Sequence, residues 1–231
     1  MAEDKVQQLK RLAAEKAVEL VGDGMVLGLG TGSTAALAVD AIGAKVAAGM
    51  KLVGIPTSEV TAAQSQRLGI PLSDFGSHDV IDLTIDGADA VDLDDLTLIK
   101  GLGGALLREK IVAAASKRMA VIIDETKLQG TIGSRTPVPV ETVRFGWQST
   151  ERQLRGLGAK PKLRLGKDAL PFVTDGGNFI LDCDFGPIIG AAALHASIKA
   201  LTGVVETGLF IGLATDIIIA RADGIEVVRK G

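Results

Sequence analysis

The chain has 231 residues, enough to bury a full core as one large domain or two small ones. Hydrophobic residues make up 47% and aromatics only 3%, which predicts a core of Ala, Val, Leu and Ile and favours α/β layers over an aromatic-rich sandwich. A net charge of -3 leaves no electrostatic footprint for nucleic acid or an anionic membrane surface, so a small anionic substrate would need a local basic site. Cys183 is the only cysteine, which rules out an intramolecular disulfide and fits a reducing cytoplasm. Met1-Ala2-Glu3-Asp4 is polar and carries no signal-peptide core, and Gly, Asp or Lys interrupts every apolar run before it reaches membrane-spanning length. These features predict a soluble, cytoplasmic globular protein.

Val6, Leu9, Ala13, Ala17 and Leu20 recur at helical spacing over residues 5 to 21, and Gly22-Asp23-Gly24 stops that helix. Met25 to Leu29 reads as a short buried strand running into Gly30-Thr31-Gly32-Ser33-Thr34, after which a helix continues to Gly43. Strand, glycine-rich turn and helix together direct backbone N–H groups and a positive helix end at an anion. The loop fits a monophosphate cradle, with the Thr31, Ser33 and Thr34 hydroxyls as extra donors. Two other readings stay open. Gly30-x-Gly32-x-x-Ala35 satisfies the dinucleotide fingerprint, although the strand Lys51 to Ile55 ends in Pro56-Thr57-Ser58 without its acidic residue. A tight strand-to-helix connection would also account for the glycines. No lysine is placed for a P-loop.

Ser58 is predicted to cap a helix carrying Val60, Ala63 and Leu68, with Ile70 and Leu72 as a brief strand. The runs Val80 to Ile85 and Leu96 to Ile99 read as strands carrying polar groups to a common sheet edge. Between and after them lie Asp86-Gly87-Ala88-Asp89, Lys100-Gly101-Leu102-Gly103-Gly104 and Arg108-Glu109-Lys110. Gly87 allows a tight turn that projects Asp86 and Asp89 to one side. In the helix predicted from Ala105 to Arg118, Leu107, Ile111, Ala114 and Ala115 form the inner face. That places Glu109 opposite, outside the core, where an acid in a first turn also complements the helix dipole. Met119 to Ile123 is a buried strand ending at Asp124-Glu125-Thr126-Lys127.

Thr131 to Pro139 breaks the strand–helix rhythm and reads as an interdomain crossing. A small α+β module follows over 132–206: the strand Val138 to Glu141, a helix near Thr150 to Leu157, a hairpin of Phe172–Thr174 and Phe179–Leu181 around Asp175-Gly176-Gly177-Asn178, and a helix after Pro187. The strand-rich tail from 207 to 231 is predicted to rejoin residues 1–131 in one catalytic domain. His78 and His195 have no His or Cys at metal-ligand spacing and read as structural, as does Cys183.

A phosphate cradle, several carboxylates, strand-end lysines and no metal motif point to proton transfer on a small phosphorylated compound. The blocks Gly30–Thr34, Asp86–Asp89, Lys100–Ala105, Arg108–Lys110, Asp124–Lys127, Thr174–Asn178 and Gly203–Phe210, in this order, closely resemble type A ribose-5-phosphate isomerase over nearly the whole chain. The resemblance implies a Rossmann-like open-sheet α/β domain with a smaller α+β domain inserted before the C-terminus, and assembly as homodimers or higher homo-oligomers. It implies interconversion of ribose 5-phosphate and ribulose 5-phosphate, in the non-oxidative branch of the pentose phosphate pathway, without metal or organic cofactor. The phosphopentose would be the partner, with no nucleic acid or membrane. Carried over by position, Thr31, Gly32, Ser33 and Thr34 bind substrate; Asp86, Gly87, Ala88, Asp89, Lys100, Gly101, Leu102 and Gly103 line the sugar; Lys127 is a further contact; and Glu109 is the general base, with Asp86, Asp89 and Lys100 catalytic beside it. Leu102 stands where the family often has glycine, which would strain the loop if that residue needed a positive φ. A sugar-phosphate sensor and a coenzyme A transferase of related fold are the competing expectations.

Overall fold

A computed structural model describes residues 2–230, so Met1 and Gly231 of the expected polar N-terminus and tail lie outside the described residues. The elements run α1 (Ala2–Val18), β1 (Val26–Leu29), α2 (Ser33–Ala47), β2 (Val53–Pro56), α3 (Glu59–Arg67), β3 (Leu83–Gly87), β4 (Ala90–Val91), β5 (Leu98–Ile99), α4 (Leu106–Ala114) and β6 (Met119–Asp124). After a 3-10 turn at Glu125–Lys127 come β7 (Val138–Thr142), α5 (Trp147–Gly156), β8 (Lys160–Leu163), β9 (Phe179–Asp184), α6 (Ala191–Lys199), β10 (Val204–Thr207), β11 (Leu209–Phe210), β12 (Asp216–Arg221) and β13 (Gly224–Arg229).

Two compact units share these elements. One joins the chain up to Ala88 with Arg108–Lys127 and the chain from Leu213 on; the other joins Asp89–Leu107 with Leu128–Gly212. The expected division at 132 and 206 differs by a few residues at those borders, and it assigned 89–107 to the first domain.

The first unit is built on a six-stranded sheet in the order β13-β12-β6-β3-β1-β2. β2, β1, β3, β6 and β12 are mutually parallel and β13 is an antiparallel edge. Every residue of β6 is buried, as a parallel strand covered on both faces requires. Leu9, Ala13, Ala17 and Val18 of α1 pack with Ile42 of α2 against Leu27, Leu29, Ile85, Ile122 and Ile218 of the sheet. Ile55, Ile81 and Val112 form a separate cluster. The strand order reverses between β1 and β3, so the crevice outside their carboxyl ends is the doubly wound switch point, where such sheets bind ligands. β1 ends at Leu29, one residue before the glycine-rich loop, and β3 contains Asp86 and Gly87.

The second unit has a four-stranded antiparallel sheet, β10-β7-β9-β8, and a three-stranded one, β11-β5-β4. Val138 and Val140 of β7, Leu181 and Cys183 of β9, Leu154 of α5 and Ile198 of α6 make its core.

Four local expectations give way. The run 80–85 and the run 96–99 do not reach one sheet edge, because β3 belongs to the six-stranded sheet and β5 to the three-stranded one. Phe172–Thr174 is not a strand; β9 pairs instead with β7 on one side and on the other with β8, the edge strand Lys160-Pro161-Lys162-Leu163. Leu72 makes only a single bridge to Gly54. In α4 the inner face is Leu106, Glu109, Val112 and Ala113, while Ile111 and Ala114 are exposed, so the helix is turned from the phase that its apolar residues suggested.

Candidate active site

Gly30 leaves β1 where no side chain fits. A Cβ there would run into the carboxylate of Asp86, and the Gly30 N–H donates to Ile85 O at 3.0 Å. Thr31 N–H then donates to Asp86 Oδ1 at 3.2 Å, and Gly87 N–H donates to the same oxygen at 2.7 Å. Asp86 is therefore a fully buried carboxylate that joins the two strand ends at the switch point. The first residues of α2 follow at once. Gly32 is its N-cap, with φ 116° and no side-chain cap, so the early N–H groups of the helix keep their capacity for an external anion.

Thr31 does something that its position in the sequence did not suggest. Its Oγ1 lies 2.7 Å from Thr57 Oγ1, 2.8 Å from Ser58 Oγ and 3.1 Å from Thr61 Oγ1. Thr57 donates in turn to Leu29 O and Thr61 to Gly30 O. Thr57, Ser58 and Thr61 are all buried, and Ser58 also caps α3, as expected, by accepting from Thr61 N–H. The cluster pins the base of the glycine loop to the end of β2. A second unexpected partner is Lys10 of α1, whose ammonium donates to Ser33 Oγ at 2.9 Å and brings a cation to the loop. Three hydroxyl residues within five positions after β2 were the signal for the cluster. Lys10 left no trace beyond its place on a polar helix face.

Glu109, in the first turn of α4, is 3% exposed. Its neighbour Arg108 donates to Glu59 Oε1 at 2.7 Å, tying the start of α4 to the start of α3, the helix that holds Thr31. Lys127 closes the 3-10 turn after β6 and is partly exposed. Asp82 sits at the opposite end of β3, where Lys117 and the Val26 N–H hold its carboxyl below the usual range; it is a structural anchor of the sheet.

The second unit carries the other expected residues. Lys100 follows β5, is 2% exposed, and places its ammonium 5.5 Å from the centroid of the Phe210 ring. Its backbone N–H is fixed by Gly208 O at 2.9 Å. Gly101 has φ 103°, and a Cβ there would meet Leu106 at 2.7 Å. Leu102 takes no positive φ, so the departure from glycine brings no backbone strain; its side chain is exposed and its N–H donates to Asp89 Oδ2 at 2.8 Å. Asp89 N–H donates to Ile99 O, so Asp89 and the Lys100 loop form one hydrogen-bonded piece. His78 and His195 bond to Ser73 Oγ and Thr207 Oγ1, and burial pushes the Cys183 thiol up, so all three are structural.

Residues 53–224 match the family described as Ribose 5-phosphate isomerase A (phosphoriboisomerase A). A ribose-5-phosphate isomerase A from Gloeobacter violaceus is 57% identical over 220 residues, covering 95% of each chain. The chain belongs to the ribose-5-phosphate isomerase A family. Its enzymatic function is that of the family, isomerisation of ribose 5-phosphate. Solved structures agree: ribose 5-phosphate isomerase A from Methanocaldococcus jannaschii superposes with a TM-score of 0.93 at 37% identity, covering 96% of this chain and 99% of that one. A D-ribose-5-phosphate isomerase in complex with phospho-erythronic acid gives 0.95 at 35% identity, covering 97% and 99%. The mixed α/β architecture, with its parallel sheet and separate antiparallel sheet, is thus that of the ribose-5-phosphate isomerase A family.

Proposed function

We propose that this isomerase interconverts D-ribose 5-phosphate and D-ribulose 5-phosphate through an enediolate, with Glu109 as the base. The observation that carries the assignment is the burial of Glu109 on the inner face of α4, a helix start tied to the glycine-loop support through Arg108–Glu59. A carboxylate kept from water on a fixed turn can take a proton from one carbon and return it to the neighbour.

In the ring-opened aldose, Glu109 removes the proton on C2. The electrons move into the C1–C2 bond and leave negative charge on O1. The O2 proton passes to O1, and the Glu109 proton goes to C1, leaving a carbonyl at C2. Such acid–base help contributes roughly 10²–10⁴-fold. The developing charge on oxygen falls to Lys100 and the N–H groups of its loop, each well-aimed donor contributing about 2.7–4 kcal/mol. Asp86 and Asp89 are the carboxylates for ring opening and for the O1–O2 proton exchange, with Gly87 and Ala88 between them along the sugar.

The phosphate is assigned to the Gly32, Ser33 and Thr34 stretch at the start of α2, with Lys10 as an added cation and Thr31 shaping the loop from below. Lys127 is a further contact. Phospho-erythronic acid, bound by a structural relative, pairs a phosphate with a carboxylate, whose two oxygens match the charge of the proposed enediolate. We further infer a homodimer or higher homo-oligomer, supported by Phe145 and Ile189, each 95% exposed on the second unit, and a cytoplasmic location. The test is direct: ribose 5-phosphate added to the pure protein yields the ketose by absorbance, and Glu109→Gln removes that signal.

A further inference from the structure

The Lys100 loop is held from behind by a side chain to which no role in the reaction has so far been given. Arg164 follows β8, and its backbone is fixed twice, by N–H to Ile180 O and by its own carbonyl accepting from Phe172 N–H, each at 2.9 Å. Its side chain is only 12% exposed, and its guanidinium makes two pairs of bonds. One edge grips Asp182 of β9, Nε to Oδ2 at 3.0 Å and Nη2 to Oδ1. Nη1 donates to Gly101 O at 2.8 Å and to Leu102 O at 3.0 Å. The ring of Phe172 lies 6.0 Å from the guanidinium carbon, and the same ring occupies the space that a Cβ on Gly104 would need.

Two successive carbonyls directed at one nitrogen have a fixed consequence. In a trans peptide the next N–H points opposite to the carbonyl. The N–H groups of Leu102 and Gly103 therefore both face away from the guanidinium. The first reaches Asp89 Oδ2 at 2.8 Å, which shows that Asp89 lies on the far side of the loop from Arg164. The Gly103 N–H faces the same side as the Leu102 N–H, and a Cβ built on Gly103 would meet nothing within 4 Å.

We propose that Arg164 is a positioning residue for the reaction: anchored by Asp182, it fixes the peptide planes after Lys100 so that their N–H groups and Asp89 present one donor–acceptor face to the sugar. The inference rests on the assignment of the Lys100 loop to the developing oxyanion. Four donors in a planar fork are in use, so lysine cannot replace Arg164. Asp182 sets the fork's orientation and does not touch the loop.

The test compares Arg164→Lys, Asp182→Asn and Lys100→Ala for kcat, KM, melting temperature and binding of inorganic phosphate. A misaligned loop predicts a kcat about 100-fold lower for Arg164→Lys, with phosphate affinity within about twofold of the parent, because phosphate is assigned to a different loop. Asp182→Asn, which keeps the shape of the anchor, is predicted to lose less than Arg164→Lys. Arg164→Lys turning over at the parent rate while Lys100→Ala is inactive overturns the positioning role alone. Lys100→Ala at full activity overturns the loop assignment beneath it. A kcat loss in Arg164→Lys matched by an equal loss of phosphate affinity and a collapsed melting temperature also overturns the proposal, since general destabilisation then explains everything.

Discussion

Single atoms decide how the first glycine loop works. The Thr31 hydroxyl is engaged by Thr57, Ser58 and Thr61, so its contribution is to the shape of the loop and not to its stock of donors. Removing it takes one partner from three buried hydroxyls that keep Leu29 O, Thr61 and Gly30 O as others, so each lost bond costs about 0.5–1.5 kcal/mol. Thr31→Ala is therefore predicted to raise KM for the phosphorylated sugar several-fold with a smaller change in kcat, and Thr31→Ser, which restores the hydroxyl, to recover most of the loss. Steady-state kinetics on the two variants check this; an unchanged KM in Thr31→Ala moves the phosphate to another place. Gly30 acts by what it lacks, since only a missing Cβ lets the end of β1 lie against Asp86.

At the scale of elements, β7 and β10 carry a feature with a pH signature. Glu141 and Glu206 stand opposite each other in the antiparallel pairing. Glu141, fully buried, accepts from Thr174 Oγ1 and Asn178 Nδ2, both at 2.9 Å, and so gives the Thr174–Asn178 turn its purpose. Burial, with smaller help from Glu206 and Asp175, raises its carboxyl above the usual value. A carboxyl raised on folding favours the folded state while protonated, and that contribution is lost as pH rises through the folded pKa. Glu141→Gln keeps the accepting oxygen without the charge. It is predicted to melt higher than the parent at pH 8 and no higher at pH 4; thermal melts at the two pH values measure it, and an equal shift at both contradicts the assignment.

Most elements of the six-stranded sheet were legible because short Val/Ile/Leu runs followed by glycine or acid turns have few alternatives. The phase of α4 was not legible. Ile111 is apolar and exposed while Glu109 is charged and buried, the inversion expected where a helix serves chemistry and not only packing. β8 was missed because its four residues, Lys-Pro-Lys-Leu, include no β-branched or aromatic residue, and Pro and Lys are what edges use against unwanted pairing. The motif residues Asp86, Asp89, Lys100 and Glu109 of the proposed site were singled out by their neighbours in sequence. Lys10, Thr61 and Arg164 reach these loops from distant segments, and nothing local marks them.

At the scale of the whole molecule, the residues of the proposed site fall in two compact units: the first glycine loop, Asp86, Glu109 and Lys127 belong to the first, and Asp89 with the Lys100 loop belongs to the second. Phe145 and Ile189 are the exposed residues of the second unit that the proposed homo-oligomer would cover. Light scattering is predicted to give a multiple of the chain mass, and Phe145→Asp with Ile189→Asp to lower it; a monomer in the parent contradicts the homo-oligomer.

In the proposed mechanism Glu109 moves the proton between C2 and C1. Ribose 5-phosphate deuterated at C2, followed with parent and Glu109→Gln, tests it most directly. Slower turnover of the deuterated sugar by the parent is predicted, with loss of at least about 10²-fold in kcat for Glu109→Gln and retained affinity of the variant for phospho-erythronic acid. A Glu109→Gln protein that turns the sugar over at the parent rate, with the same isotope effect, contradicts it.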